Sequence, residues 1–147
     1  MTVGGERGSA SLEFLTAGVL LLVPLVYLVL TLAALQGAAF AAEGAARQAA
    51  RVTALAPTPS LGRQQAEAAV ATALADWRVQ PGAARTDIRC TPRPDDCGTP
   101  RGTVAVTVRI AVALPFLPPA VRRSTPGSVA VQASAVQRVS TFAVSTR

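Results

Sequence analysis

The chain has 147 residues, room for one domain of ordinary size. With 50% hydrophobic residues, 15% charged residues and a mean hydropathy of +0.39, it is too apolar for a disordered chain and unusual for a soluble one. It lacks histidine and lysine and has two cysteines, which removes the commonest general base, the usual histidine-dependent nucleophile systems and most zinc sites.

Composition therefore argues against an enzyme, and no cofactor is expected. Fourteen arginines against eight carboxylates give a net charge of +6. Only Arg122 and Arg123 are adjacent, and no aromatic residues interleave with the arginines as stacking platforms. The charge reads as a solvated surface facing an anionic envelope, and no nucleic acid is expected as a partner.

The first element is apolar. From Phe14 to Leu35, 22 consecutive residues carry no charge, about 33 Å of α-helix, which matches the core of a bilayer. A secretory signal peptide fits less well. The thirteen residues ahead of the run, MTVGGERGSASLE, carry Glu6 and Glu13 against Arg7, and the run exceeds the usual hydrophobic region of about 7 to 15 residues. Small-residue sites such as Gln36 to Ala39 leave classical cleavage open. Pro24 removes one helical hydrogen bond and marks either an ordinary kink or a section that loosens.

The junction RGSASLEF carries the most information. Gly8 is followed by four uncharged residues, then Glu13, then Phe14 and the apolar run. This resembles the prepilin-peptidase signature of type IV pilin-like proteins, in which cleavage follows a glycine and the fifth mature residue is glutamate. The "EF" ending, the alanine-rich continuation and the β-rich tail are most similar to the TadE/TadG-type pseudopilins of tight-adherence (Flp) pili. The specific part of the resemblance spans residues 7 to about 53. It implies a processing site at Gly8 and Ser9, and an assembly role for Glu13 and Phe14. The implied partners are a prepilin peptidase, other pilins, pilus-assembly membrane proteins and membrane lipid.

The charges bear on the same point. A carboxylate at a bilayer centre costs about 2.5 to 3.5 kcal/mol and less at the interface, so a lone chain tolerates Glu13. After a cut at Gly8–Ser9, the new amine of Ser9 would lie four residues from Glu13 and could meet the Glu13 carboxylate of a neighbouring subunit, pairing two charges.

The helix is predicted to continue to about residue 55, since Gln36 to Thr53 is rich in alanine and free of proline. Gly37, Ala41, Ala45 and Ala49 form a small-residue face that admits another backbone, and Glu43 and Arg47 form an i,i+4 pair. Pro57-Thr58-Pro59 breaks the helix and Ser60 is placed to cap the next. Ala66, Ala69, Val70, Ala73, Leu74 and Trp77 follow the spacing of one helical face, so Trp77 is expected in the core. Gln80-Pro81-Gly82 ends that unit.

Beyond it the pattern is β. Thr86–Cys90 is a short strand, Thr103–Leu114 alternates strictly with Val104, Val106, Val108, Ile110, Val112 and Leu114 on one face, and Ser128–Val144 is a third, less regular strand. A proline-rich connection, 115–127, holds Phe116 and Leu117. The distal apolar residues are mostly Ala and Val, a thin core needing the spine helix, a disulfide or neighbouring subunits. Cys90 and Cys97 enclose CTPRPDDC and are expected to form a disulfide in an oxidising compartment. Asp95 and Asp96 lie in that polar loop, where nothing separates their pKa values for acid/base work.

The fold expected is α+β: a leader at 1–8, a transmembrane and extended helix at 9–55, and a small extracytoplasmic domain at 56–147 with a second short helix and an antiparallel sheet. The function expected is that of a TadE-like minor pilin or pseudopilin. The alternative is a bitopic, membrane-anchored extracytoplasmic binding domain that does not polymerise. Arg47 and Arg51 beyond the run outnumber Arg7 before it, so the charge count does not favour a cytoplasmic N-terminus. Prepilin-like processing implies that orientation nonetheless.

Overall fold

In a computed structural model, residues 9–77, 79, 81–114 and 127–143 are described. The protein is α+β. Helix α1 (Ser9–Leu55) is followed by α2 (Pro59–Asp76), a 3-10 turn (Pro81–Ala83), and three strands, β1 (Ala84–Thr91), β2 (Thr103–Ala113) and β3 (Ser128–Arg138). Two compact units are present, Met1–Ala33 and Ala34–Arg147.

In the first unit α1 runs through Pro24 without interruption. The hydroxyls of Thr16 and Thr31 donate to the carbonyls of Leu12 (2.7 Å) and Tyr27 (2.8 Å) one turn back. These polar atoms are thus satisfied within the helix itself, as an apolar surrounding requires.

The second unit contains the rest of α1. The chain leaves it at Pro57, and the cap of α2 is Thr58, not Ser60: the Thr58 side chain accepts from the Leu61 amide at 3.3 Å. Pro59 then occupies the first helical position, where a missing N–H costs nothing and its fixed φ suits the helix. Ser60 sits inside the helix, its hydroxyl 3.3 Å from that of Thr58.

The strands form one antiparallel sheet in the order β1-β2-β3. The central strand alternates as its sequence predicts, with Val104, Val106, Val108 and Ile110 buried. Ile88 and Cys90 of β1 and Ala133 and Ala135 of β3 stand opposite them on the same face. β3 ends at Arg138, short of the expected Val144. Val139 still donates to the Gly102 carbonyl (2.9 Å), and the chain then turns through Ser140–Ala143. Val144 and the 115–126 segment with Phe116 and Leu117 lie outside the described residues.

One hydrophobic core fills this unit. It joins Ala41, Ala42, Ala45, Ala46, Ala49, Ala50 and Ala54 of α1 to Ala66, Val70 and Leu74 of α2, the valines of β2, both cysteines and Val139. Alanine on the helix lets the sheet approach closely, so the small side chains still exclude water. The only buried polar side chain among the described residues, Thr53, donates to the Ala49 carbonyl at 2.8 Å.

Candidate functional site: the entry and surface of the apolar helix

The candidate site begins where α1 begins. Ser9 is its first helical residue, and Gly8 lies outside the described residues. Glu13 and Phe14 are both exposed on the first turns, Phe14 at 81%. Among the described residues, Glu13 has no ion-pair partner. From Leu12 to Ala33 every side chain is exposed except Tyr27 and Thr31, which are half-buried. The helix therefore presents leucines and valines all round, over a window of mean hydropathy 2.6 with none of it buried. An apolar surface of this extent is far larger than the patches of a few hundred Å² that soluble monomers expose, and marks a membrane or assembly surface. This one helix is long and apolar enough to cross a membrane.

Past the apolar run, the structure corrects two expectations. The Gly37, Ala41, Ala45 and Ala49 face is expected to let another backbone approach closely, as a neighbouring helix would. Ala41, Ala45 and Ala49 are instead covered by the chain's own second unit. Trp77, expected in the core, is 52% exposed. It follows the last turn of α2 as its C-terminal cap, where the helical face that buries Val70 and Leu74 is no longer maintained. Its ring edge (Cε3 and Cζ3) lies 3.4 Å from where a β-carbon on Gly37 would stand.

Cys90 and Cys97 are disulfide-bonded, with Cα atoms 5.1 Å apart, and both sulfur-bearing residues are buried in the core. Within their loop Asp96 makes the turn. Its Oδ1 accepts from the Gly98 amide and its Oδ2 from the Thr99 hydroxyl, each at 3.1 Å, and Arg93 lies 3.8 Å away. Both oxygens of Asp96 are thus engaged in holding a local turn, and Asp95 is exposed. Among the described residues no group of three or more His, Cys, Asp or Glu could hold a metal ion.

The outer face of the sheet is polar. Arg85, Asp87 and Arg89 of β1 share it with Arg109, Gln132, Ser134 and Arg138. Arg89 Nε is 3.0 Å from Asp87 Oδ2, Arg109 donates to Gln132 Oε1 at 2.8 Å, and the hydroxyls of Thr107 and Ser134 are 2.9 Å apart. The alternation of Arg85, Asp87 and Arg89 is a period-2 signal in the sequence that marks this solvated face. Arg122 and Arg123 lie outside the described residues.

No protein-family profile, curated protein or solved structure matches this chain.

Proposed function

We propose that this chain is a TadE-like minor pilin or pseudopilin that acts in the assembly or structure of tight-adherence (Flp-type) pili, a structural protein and not an enzyme. The observation that carries the reading is the RGSASLEF junction in the sequence, followed by an apolar helix whose side chains from Leu12 to Ala33 are exposed apart from Tyr27 and Thr31. In this reading a prepilin peptidase cuts between Gly8 and Ser9, and the N-terminus faces the cytoplasm. The partners are other pilins and pilus-assembly membrane proteins.

Two physical arguments support it. A bare apolar helix needs lipid before assembly, and lipid or neighbouring helices after it. Glu13 is tolerable at an interface, yet in a helical stack it gains a partner in a neighbour's new Ser9 amine, so one cut supplies both the end and the charge. The disulfide supports an extracytoplasmic second unit, because such bonds persist in oxidising compartments.

The exposure of Glu13, with no ion pair among the described residues, is also what a lone anchor would show, and that favours the second reading, a bitopic extracytoplasmic binding domain. Co-expression with a prepilin peptidase separates the two. The wild-type chain should lose its leader, and Gly8→Leu should retain it while still inserting into membranes. A chain of unchanged size in both cases would overturn the pilin reading.

A further inference from the structure

We propose that Trp77, together with Phe40, is a lipid-interface anchor that seats the second unit against the membrane surface. This rests on the reading of α1 as a membrane-spanning helix. The 22 residues from Phe14 to Leu35, about 33 Å of helix, are closed by Gln36, the first amide side chain past Glu13, and Gly37 lies about 3 Å beyond Leu35 along the axis. The polar zone of a bilayer extends about 5 to 7 Å beyond each side of its hydrocarbon core. The Trp77 ring, whose edge lies 3.4 Å from where a β-carbon on Gly37 would stand, is therefore at the depth of the glycerol and carbonyl groups. Phe40, 64% exposed, lies about 7 Å beyond Leu35, at the outer edge of the same zone.

Three observations point to lipid as the occupant. Trp77, a large aromatic residue, is half-exposed, and among the described residues nothing accepts a hydrogen bond from its indole N–H. That combination suits the interface, where the ring contacts acyl chains and the N–H finds a carbonyl or water. Within the second unit the buried face of α1 also begins at this level, with Ala38.

Trp77 is the only tryptophan in the chain, so intrinsic fluorescence reports on it alone. The full chain would be reconstituted into phosphatidylcholine–phosphatidylglycerol vesicles carrying nitroxide labels at a shallow or a deep acyl position. The expected result is a blue-shifted emission, quenched more by the shallow label than by the deep one and protected from aqueous iodide. Emission as in water, open to iodide and indifferent to both labels, would overturn the proposal, and so would stronger quenching by the deep label. A Trp77→Phe, Leu25→Trp variant separates this from the reading beneath it. Its tryptophan should be quenched most by the deep label. If it is, while Trp77 stays in water, the interface anchor alone fails. If neither is quenched, the membrane span fails with it.

Discussion

A β-carbon on Gly102 would stand 2.7 Å from the carbonyl oxygen of Thr91 and 2.8 Å from that of Thr99. The backbones entering and leaving the disulfide loop thus touch at its mouth. Gly102 also donates to Thr99 (3.0 Å) and accepts from Val139 (2.9 Å), so it ties the loop to the ends of β2 and β3. The contact is backbone to backbone, and no side chain can rotate away to relieve it. Gly102→Ala should therefore destabilise the second unit by about 1–3 kcal/mol, in the range of overpacked interiors. Denaturant unfolding of the detergent-solubilised protein measures this. An unchanged midpoint would mean that the loop has room it does not show.

The Cys90–Cys97 bridge closes a short loop and contributes up to about 2.5 kcal/mol on the chain-entropy argument, less any strain. Alkylation of the native protein should find no reactive thiol before reduction and two after it. Cys90→Ser with Cys97→Ser should lower the unfolding midpoint and leave membrane insertion unchanged. Two reactive thiols before reduction would remove both the bridge and the argument it makes for an oxidising compartment.

Adjacent positions on α1 should respond with opposite signs. A β-carbon on Gly44 would meet nothing within 4 Å, so Gly44→Ala should stabilise by about 0.5–1 kcal/mol through helix propensity alone. Ala45 is fully buried in the core, and Ala45→Leu should cost about 1–3 kcal/mol by overpacking. Equal effects at the two positions would show that the sheet does not pack on this face.

The strict alternation of β2 made the sheet legible, because every second residue from Val104 to Ile110 is a β-branched side chain with one side to bury. The long helix was legible from absence of charge and then from alanine content. What covers the alanine face was not, since small residues suit a neighbouring helix and the chain's own sheet alike. Trp77 was misplaced because it continues the spacing of Val70 and Leu74 one step past the last turn of α2, and sequence spacing does not carry the position of a helix end. The cap went to Thr58 because Pro59 fits the first helical turn, a preference that was present in the sequence. At the candidate site, the residues of the junction are legible as a pattern, and their partners are not, because those would belong to other chains.

Glu13→Ala should leave insertion and processing largely intact while reducing incorporation into a pilus or its assembly complex. At the edge of a bilayer the carboxylate costs a lone helix little, so its removal matters only where a neighbour's amine would otherwise go unpaired. Co-purification with other pilins and pilus-dependent adhesion measure this. Unchanged values for both would end the charge-pairing role.

Processing of this chain as a pilin-like subunit is decided by the intact mass of the mature protein recovered from membranes. The expected chain begins at Ser9, with the amine four residues from Glu13 and the Cys90–Cys97 bridge intact. A chain that retains Met1, or one that starts near Ala38, would contradict it.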